Sequence, residues 1–92
     1  MNLHNLGLAY RAKKIILGTD YVVDAMRKKK VWLVILAVDA SELTKKKIND
    51  KAKTYQVEVL TIATADEISQ ALGGKNAKVI GIIDKGFSLI IK

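Results

Sequence analysis

The chain has no cysteine and no proline. It has one histidine, one tryptophan and one phenylalanine. Each absence removes a class of answer. Without cysteine there is no disulfide framework, no thiolate nucleophile and no cysteine ligand for zinc. The lone His4 excludes a multi-histidine metal site and leaves a single imidazole for acid–base chemistry. Without proline, repeats or a low-complexity linker, nothing divides the chain, and residues 1–92 read as one domain. The longest apolar stretch, Val31 to Val38, is eight residues long. A membrane-spanning helix needs about 20. The first residues lack a basic region followed by an apolar core, so no secretory signal is expected. The expectation is a soluble, cytoplasmic protein with no membrane partner.

What is present is apolar and cationic. Half of the 92 residues are hydrophobic, enough to build a core. Sixteen Lys and Arg stand against nine Asp and Glu, for a net charge of +7. The excess is uneven. Residues 1–30 carry seven bases (Arg11, Lys13, Lys14, Arg27, Lys28, Lys29, Lys30) against Asp20 and Asp24, a net of +5. Such a concentration predicts a polyanionic partner, of which nucleic acid is the commonest.

Periodicity gives the elements. Leu3, Leu6 and Tyr10 predict an amphipathic helix over residues 2–12. Gly7 inside it costs about 1 kcal/mol against alanine. Ile15 to Leu17 predicts a strand. Thr19 then suits the N-cap of a second helix reaching Lys29, with Val22, Val23 and Met26 inward. Val31 to Val38 predicts a central strand buried on both faces. Ser41 caps a third helix with Leu43, Ile48, Ala52 and Tyr55 inward. Val57 to Ala63 is a third strand. Thr64 and Glu67 form a capping box for a fourth helix that Gly73 stops. Lys78 to Ile83 is a fourth strand, and residues 85–91 favour a last helix over an edge strand. The order α-β-α-β-α-β-α-β-α predicts a three-layer α/β/α sandwich around one mixed four-stranded sheet.

Catalytic candidates are few. His4 reads as a surface or packing residue. Asp39 ends a central strand, where open α/β sheets bind ligands, yet Asp39-Ala40-Ser41 is also how a chain leaves a strand and caps a helix. The only nearby partners for an Asp39 hydrolase are Ser41 and Glu42. No enzyme and no cofactor are expected. Gly18-Thr19-Asp20 follows a strand and opens a helix, a potential phosphate cradle, but it lacks both the spaced glycines of a dinucleotide site and the Gly-Lys-Ser/Thr of a P-loop. Gly73-Gly74-Lys75-Asn76 reads as a helix stop and turn, or as a loop that also touches a phosphate backbone.

The order of these segments resembles the kink-turn RNA-binding family, which includes archaeal and eukaryotic large-subunit ribosomal proteins, and most of all its short bacterial members. The resemblance spans nearly the whole chain. It is carried by Arg11-Ala12-Lys13-Lys14 with Gly18, the apolar strand Leu33 to Ala37, Asp39-Ala40-Ser41 with Thr44-Lys45-Lys46-Lys47-Ile48, Tyr55 to Val59, Leu72-Gly73 and Asp84-Lys85-Gly86-Phe87. It implies that RNA meets a Gly-x-Asn-Glu-x-x-Lys segment at the start of the second helix and the loop before the last strand. Gly18 and Thr19 agree with that pattern. Asp20 stands where the family has Asn, Tyr21 where it has Glu, and Asp24 where it has Lys. In the loop, Gly74 to Ala77, Lys75 and Asn76 replace the apolar residues of the tightest binders. An ionised aspartate only accepts hydrogen bonds, so Asp24 cannot donate to a guanine edge.

The resemblance thus implies a non-enzymatic, monomeric RNA-binding protein for a structured, kink-turn-like RNA, ribosomal RNA or the ribosome included. The expected contacts are Lys13, Lys14, Gly18, Thr19, Asp20, Tyr21, Asp24, Arg27, Lys28, Lys75, Asn76 and Ala77. The alternative is a protein-interaction or scaffold module that kept the fold and lost kink-turn recognition.

Overall fold

Two strands of uniformly apolar sequence set the architecture. In a computed structural model describing all 92 residues, β2 (Leu33–Leu36) and β4 (Val79–Ile82) are adjacent and antiparallel, with Leu33 facing Ile82 and Leu36 facing Val79. Every residue of both is buried. Only inner strands covered on both faces read this way. The edges are β1 (Ile15–Leu17), antiparallel to β4, and β3 (Glu58–Leu60), parallel to β2, giving the order β1-β4-β2-β3. Both edges are three residues long, which limits the unpaired backbone offered to another chain.

Five helices cover the sheet. On one face α1 (Leu3–Arg11) packs against α4 (Ala65–Ala71) and α5 (Lys85–Ile91); on the other α2 (Thr19–Arg27) packs against α3 (Glu42–Tyr55). The predicted three-layer sandwich and the order of nine elements are therefore observed, and the C-terminal segment is the helix. Its start is fixed by Asp84, whose carboxylate accepts from the Phe87 N–H at 2.9 Å. The expected capping box of α4 is present in both directions, Glu67 N–H to Thr64 Oγ1 at 3.1 Å and Thr64 N–H to Glu67 Oε1 at 3.0 Å.

Three local expectations are corrected. The strands are shorter than the apolar runs that contain them: Trp32 and Val38 flank β2 as exposed residues, and Ile62 lies beyond β3, also exposed. Thr19 is not the cap of α2. Gly18 is, at φ 103°, and its carbonyl accepts from the Val22 N–H. That backbone conformation favours glycine, and glycine brings no side chain to the free N–H groups. Leu43 is 82% exposed rather than inward. It precedes Ile48 by five residues, about 140° around the helix at ~100° per residue, whereas Ala52 and Tyr55 fall within about 40° of Ile48.

The helix ends also set where the lysines go. Lys13 and Lys29 hold left-handed backbone after α1 and α2, at φ 60° and 58°. The N–H groups of Lys14 and Lys30 close back on the carbonyls of Ala9 and Ala25. This is the Schellman arrangement, usually built on glycine. Lysine there meets the negative end of the helix dipole, which offsets part of the backbone cost.

Candidate nucleic-acid interface

Four chain turns converge at one end of the sheet, and backbone bonds tie them together. The Gly18 N–H donates to the Val79 carbonyl at 3.0 Å, joining the β1–α2 turn to the start of β4. The Ala37 N–H donates to Lys78 O at 2.8 Å, and the Val38 N–H to Ala63 O at 2.9 Å. The Asp39 carboxylate reaches across to the Ala65 N–H at 2.8 Å. Asp39 is therefore a cap, as the capping reading held, but of α4. Ser41 caps α3 through the Thr44 N–H.

This end holds Gly18, Thr19, Asp20, Tyr21, Lys75, Asn76 and Ala77 of the expected contacts, with Asp24 one turn further along α2. The α4–β4 loop leaves its helix through Gly73 and Gly74, at φ 71° and 99°, and presents Lys75 and Asn76 to solvent, with Ala77 half-buried. Tyr21 is 75% exposed, and its ring passes close to Gly18. Val38, Leu43 and Ile62 add exposed apolar surface here that the sequence reading assigned to strands or core. A signal was available for Leu43, which lies off the Ile48–Ala52–Tyr55 stripe.

Both aspartates of the α2 segment are matched by bases. Asp20 Oδ1 pairs with Lys47 Nζ at 3.0 Å. Asp24 pairs with Lys28 at 3.0 Å and with Arg27 at 3.6 Å. The Lys28 ammonium, bonded to the Asp24 carboxylate and attracting it, holds its pKa below the usual aspartate range; Arg27 and Lys30 act in the same direction against slight desolvation. A folded-state pKa below the unfolded one contributes stability at pH above the unfolded value, lost as pH falls through the folded value. Carbon-detected NMR titration should accordingly give Asp24 a midpoint below that of an ordinary aspartate. In a Lys28→Met variant the midpoint should rise, because the first-named partner is gone.

The structure does not bring Lys13, Lys14, Arg27 and Lys28 to this end. Lys13 and Lys14 precede β1, whose three residues span about 10 Å. Arg27 and Lys28 close α2, whose nine residues span about 13 Å. Both pairs lie at the opposite end of the sheet. The turns and helix starts at this end carry Lys45, Lys46, Lys47, Lys75 and Lys78 against Asp20, Asp39, Glu42, Asp66 and Glu67, so that end is close to neutral. The N-terminal charge excess does not flank the helix start, as the linear sequence suggested.

His4 lines a separate groove of about 420 Å³ between α1 and α4, with Arg11 and Glu67. There the Glu67 carboxylate accepts from the Thr64 N–H as part of the α4 capping box.

With this geometry in place, comparison with known proteins is decisive for the family. Residues 3–92 match the ribosomal protein L7Ae/L30e/S12e/Gadd45 family, and the chain belongs to it. Among its relatives, RNA-binding protein YlxQ of Enterococcus faecium is 44% identical over 88 residues, covering 96% of this chain and 82% of that one. RNA-binding protein YlxQ of Bacillus subtilis (strain 168) is 35% identical over 83 residues, covering 90% and 83%. A solved Bacillus halodurans protein of unknown function superposes with a TM-score of 0.93 at 40% identity, over 97% of this chain and 90% of that one. The Giardia lamblia 15.5kD RNA binding protein shares the fold at 16% identity, with a TM-score of 0.80 over 97% and 77%.

Proposed function

We propose that the chain is a non-enzymatic, cytoplasmic RNA-binding protein, acting as a monomer on a structured, kink-turn-like RNA, with ribosomal RNA as the natural source. The observation that carries this reading is the start of α2 at Gly18, where no side chain caps the helix, tied through Val79 to the foot of the glycine-led loop with Lys75 and Asn76. Free N–H groups at a helix start favour phosphate oxygens. Tyr21 offers a ring to an unstacked base. The relatives named as RNA-binding proteins support the same reading.

Affinity at this end is modest and only partly specific. Asp20 and Asp24 accept where base edges need donors. Lys46, Lys75 and Lys78 are the cations here outside ion pairs. Three phosphate contacts on a duplex-like RNA give a slope of log affinity against log salt near −2.7, written as about −0.9 per phosphate. Fluorescence anisotropy with a kink-turn RNA and with a scrambled hairpin of equal length tests the proposal. The expected result is binding to both with that slope and a preference for the kink-turn of about tenfold, the worth of one good base contact. Equal affinity for the two RNAs would favour the scaffold reading.

A further inference from the structure

The cationic excess sits at the other end of the sheet, around the only tryptophan. Trp32 immediately precedes β2 and is 52% exposed. With Tyr55, Met26, Val31 and Val57 it lines a cleft of about 300 Å³ between the end of α2 and the start of β3. The Trp32 backbone N–H donates to Ile82 O at 2.8 Å, and the neighbouring Ile83 N–H donates to Lys14 O at 2.9 Å. Lys14, Ile83 and Trp32, each one residue outside a strand, therefore stand side by side at the ends of β1, β4 and β2. Lys85 Nζ lies over the indole, 5.6 Å from the ring centroid.

Charge at this end is one-sided. Lys13, Lys14, Lys29, Lys30 and Lys85 are in no ion pair, while the nearby acids are engaged: Glu58 with Lys92 at 2.6 Å, Asp84 as the cap of α5, Asp24 with Lys28. An exposed aromatic ring over an apolar cleft, ringed by free cations, has the makings of a single-strand platform. Bases stack on the ring without regard to sequence and lysines hold the backbone. A bare apolar cleft would suit a peptide equally, but five cations outside ion pairs, against nearby acids of which Asp24 and Glu58 already have basic partners, select a polyanion.

We propose that the Trp32 end is a second nucleic-acid contact, taking an unpaired segment of single-stranded RNA with one base stacked on Trp32. The α2 start grips a structured element, and the Trp32 end holds the strand that leaves it. The Lys85 ammonium meets the phosphate of the stacked nucleotide.

Trp32 is the only tryptophan, so its fluorescence reports this end alone. The probe is an oligoadenylate of about ten nucleotides, within the roughly 4–16 that a single stacking module covers. The expected result is saturable quenching that weakens with salt at a slope near −3.5 for five contacts, about −0.7 each on a single strand. By anisotropy, Trp32→Ala should bind the same probe about tenfold more weakly, within the range seen for one stacked base, and Trp32→Phe should keep most of the affinity. Affinity for the kink-turn RNA should stay within about twofold of the parent, since the additive behaviour of distant sites applies. Lys30→Glu with Lys85→Glu, both exposed, should weaken the oligoadenylate as well and flatten its slope, which keeps the test open should Trp32→Ala fold poorly.

Absence of binding, binding without a change in Trp32 fluorescence, or unchanged affinity in both variants overturns the proposal. Equal quenching by polyglutamate also overturns it, and assigns the cleft to an acidic peptide. Because the kink-turn RNA reads the α2 start separately, either site can fail without the other.

Discussion

Replacing Gly7 with alanine should destabilise the protein, against the trend for alanine in a helix. Helix propensity alone favours the alanine by about 1 kcal/mol. Packing opposes it: a Cβ on Gly7 would lie 2.7 Å from the carbonyl oxygen of Ala71, where α1 crosses the end of α4. The obstacle is backbone, so no side chain can swing away. Forcing extra volume into a packed contact costs about 1–3 kcal/mol. The net expectation for Gly7→Ala is a loss of up to about 2 kcal/mol, and for Gly7→Leu a loss of about 3 kcal/mol or more. In a domain of this size each kcal/mol lowers Tm by about 4–8 °C. Urea unfolding of the parent and both variants checks it. A gain in stability for Gly7→Ala would mean that the two helices do not approach this closely.

The largest functional effect is expected from the double replacement Asp20→Asn with Asp24→Lys. Each removes an acceptor and supplies a donor, and together they change the charge at the helix face by +3, one unit from the first and two from the second. A base-edge contact is worth about 1–3 kcal/mol of discrimination. Two regained contacts at the lower part of that range should raise kink-turn affinity about a hundredfold, since about 1.4 kcal/mol corresponds to a factor of ten. The scrambled hairpin should gain far less, because it profits only from charge. Anisotropy with both RNAs separates the two effects. An equal gain on both RNAs would show that α2 meets only the backbone. Stability should fall slightly: the lysine introduced in place of Asp24 would sit beside Arg27 and Lys28, and such like-charge neighbours cost a few tenths of a kcal/mol, roughly 0.2–0.5 each. Lys47 would also lose its 3.0 Å partner.

Much of the fold was legible in the chain because its signals are local. The apolar runs around Leu33–Leu36 and Val79–Ile82 mark strands buried on both faces wherever they occur. The Thr64–Glu67 capping box acts within four residues. The order of helices and strands followed from them, and with it the three layers. The strand ends were less legible. Val38 and Ile62 have strand-like neighbours, and only the distance over which partner strands run side by side leaves them exposed.

The site was legible in part. The identity of the α2 start, and the acids at Asp20 and Asp24, could be read from residue order. Their ion pairs could not, since Lys47 lies 27 residues from Asp20. Nor could the partner of Asp39, which turns away from its own helix to cap the start of α4.

By itself, then, the sequence determined the elements, their order, the buried strands and a net charge of +7, because hydrophobic period and capping are properties of short segments. The tertiary structure decided where that charge goes. Lys13 and Lys14 are close to Gly18 in the chain, but β1 carries the backbone about 10 Å between them, at ~3.3 Å per residue; α2 does the same for Arg27 and Lys28. Linear neighbours are thereby sorted to opposite ends of the sheet. Gly7 shows the same division. The sequence shows the helix cost of the glycine, and only the approach of Ala71 gives its reason.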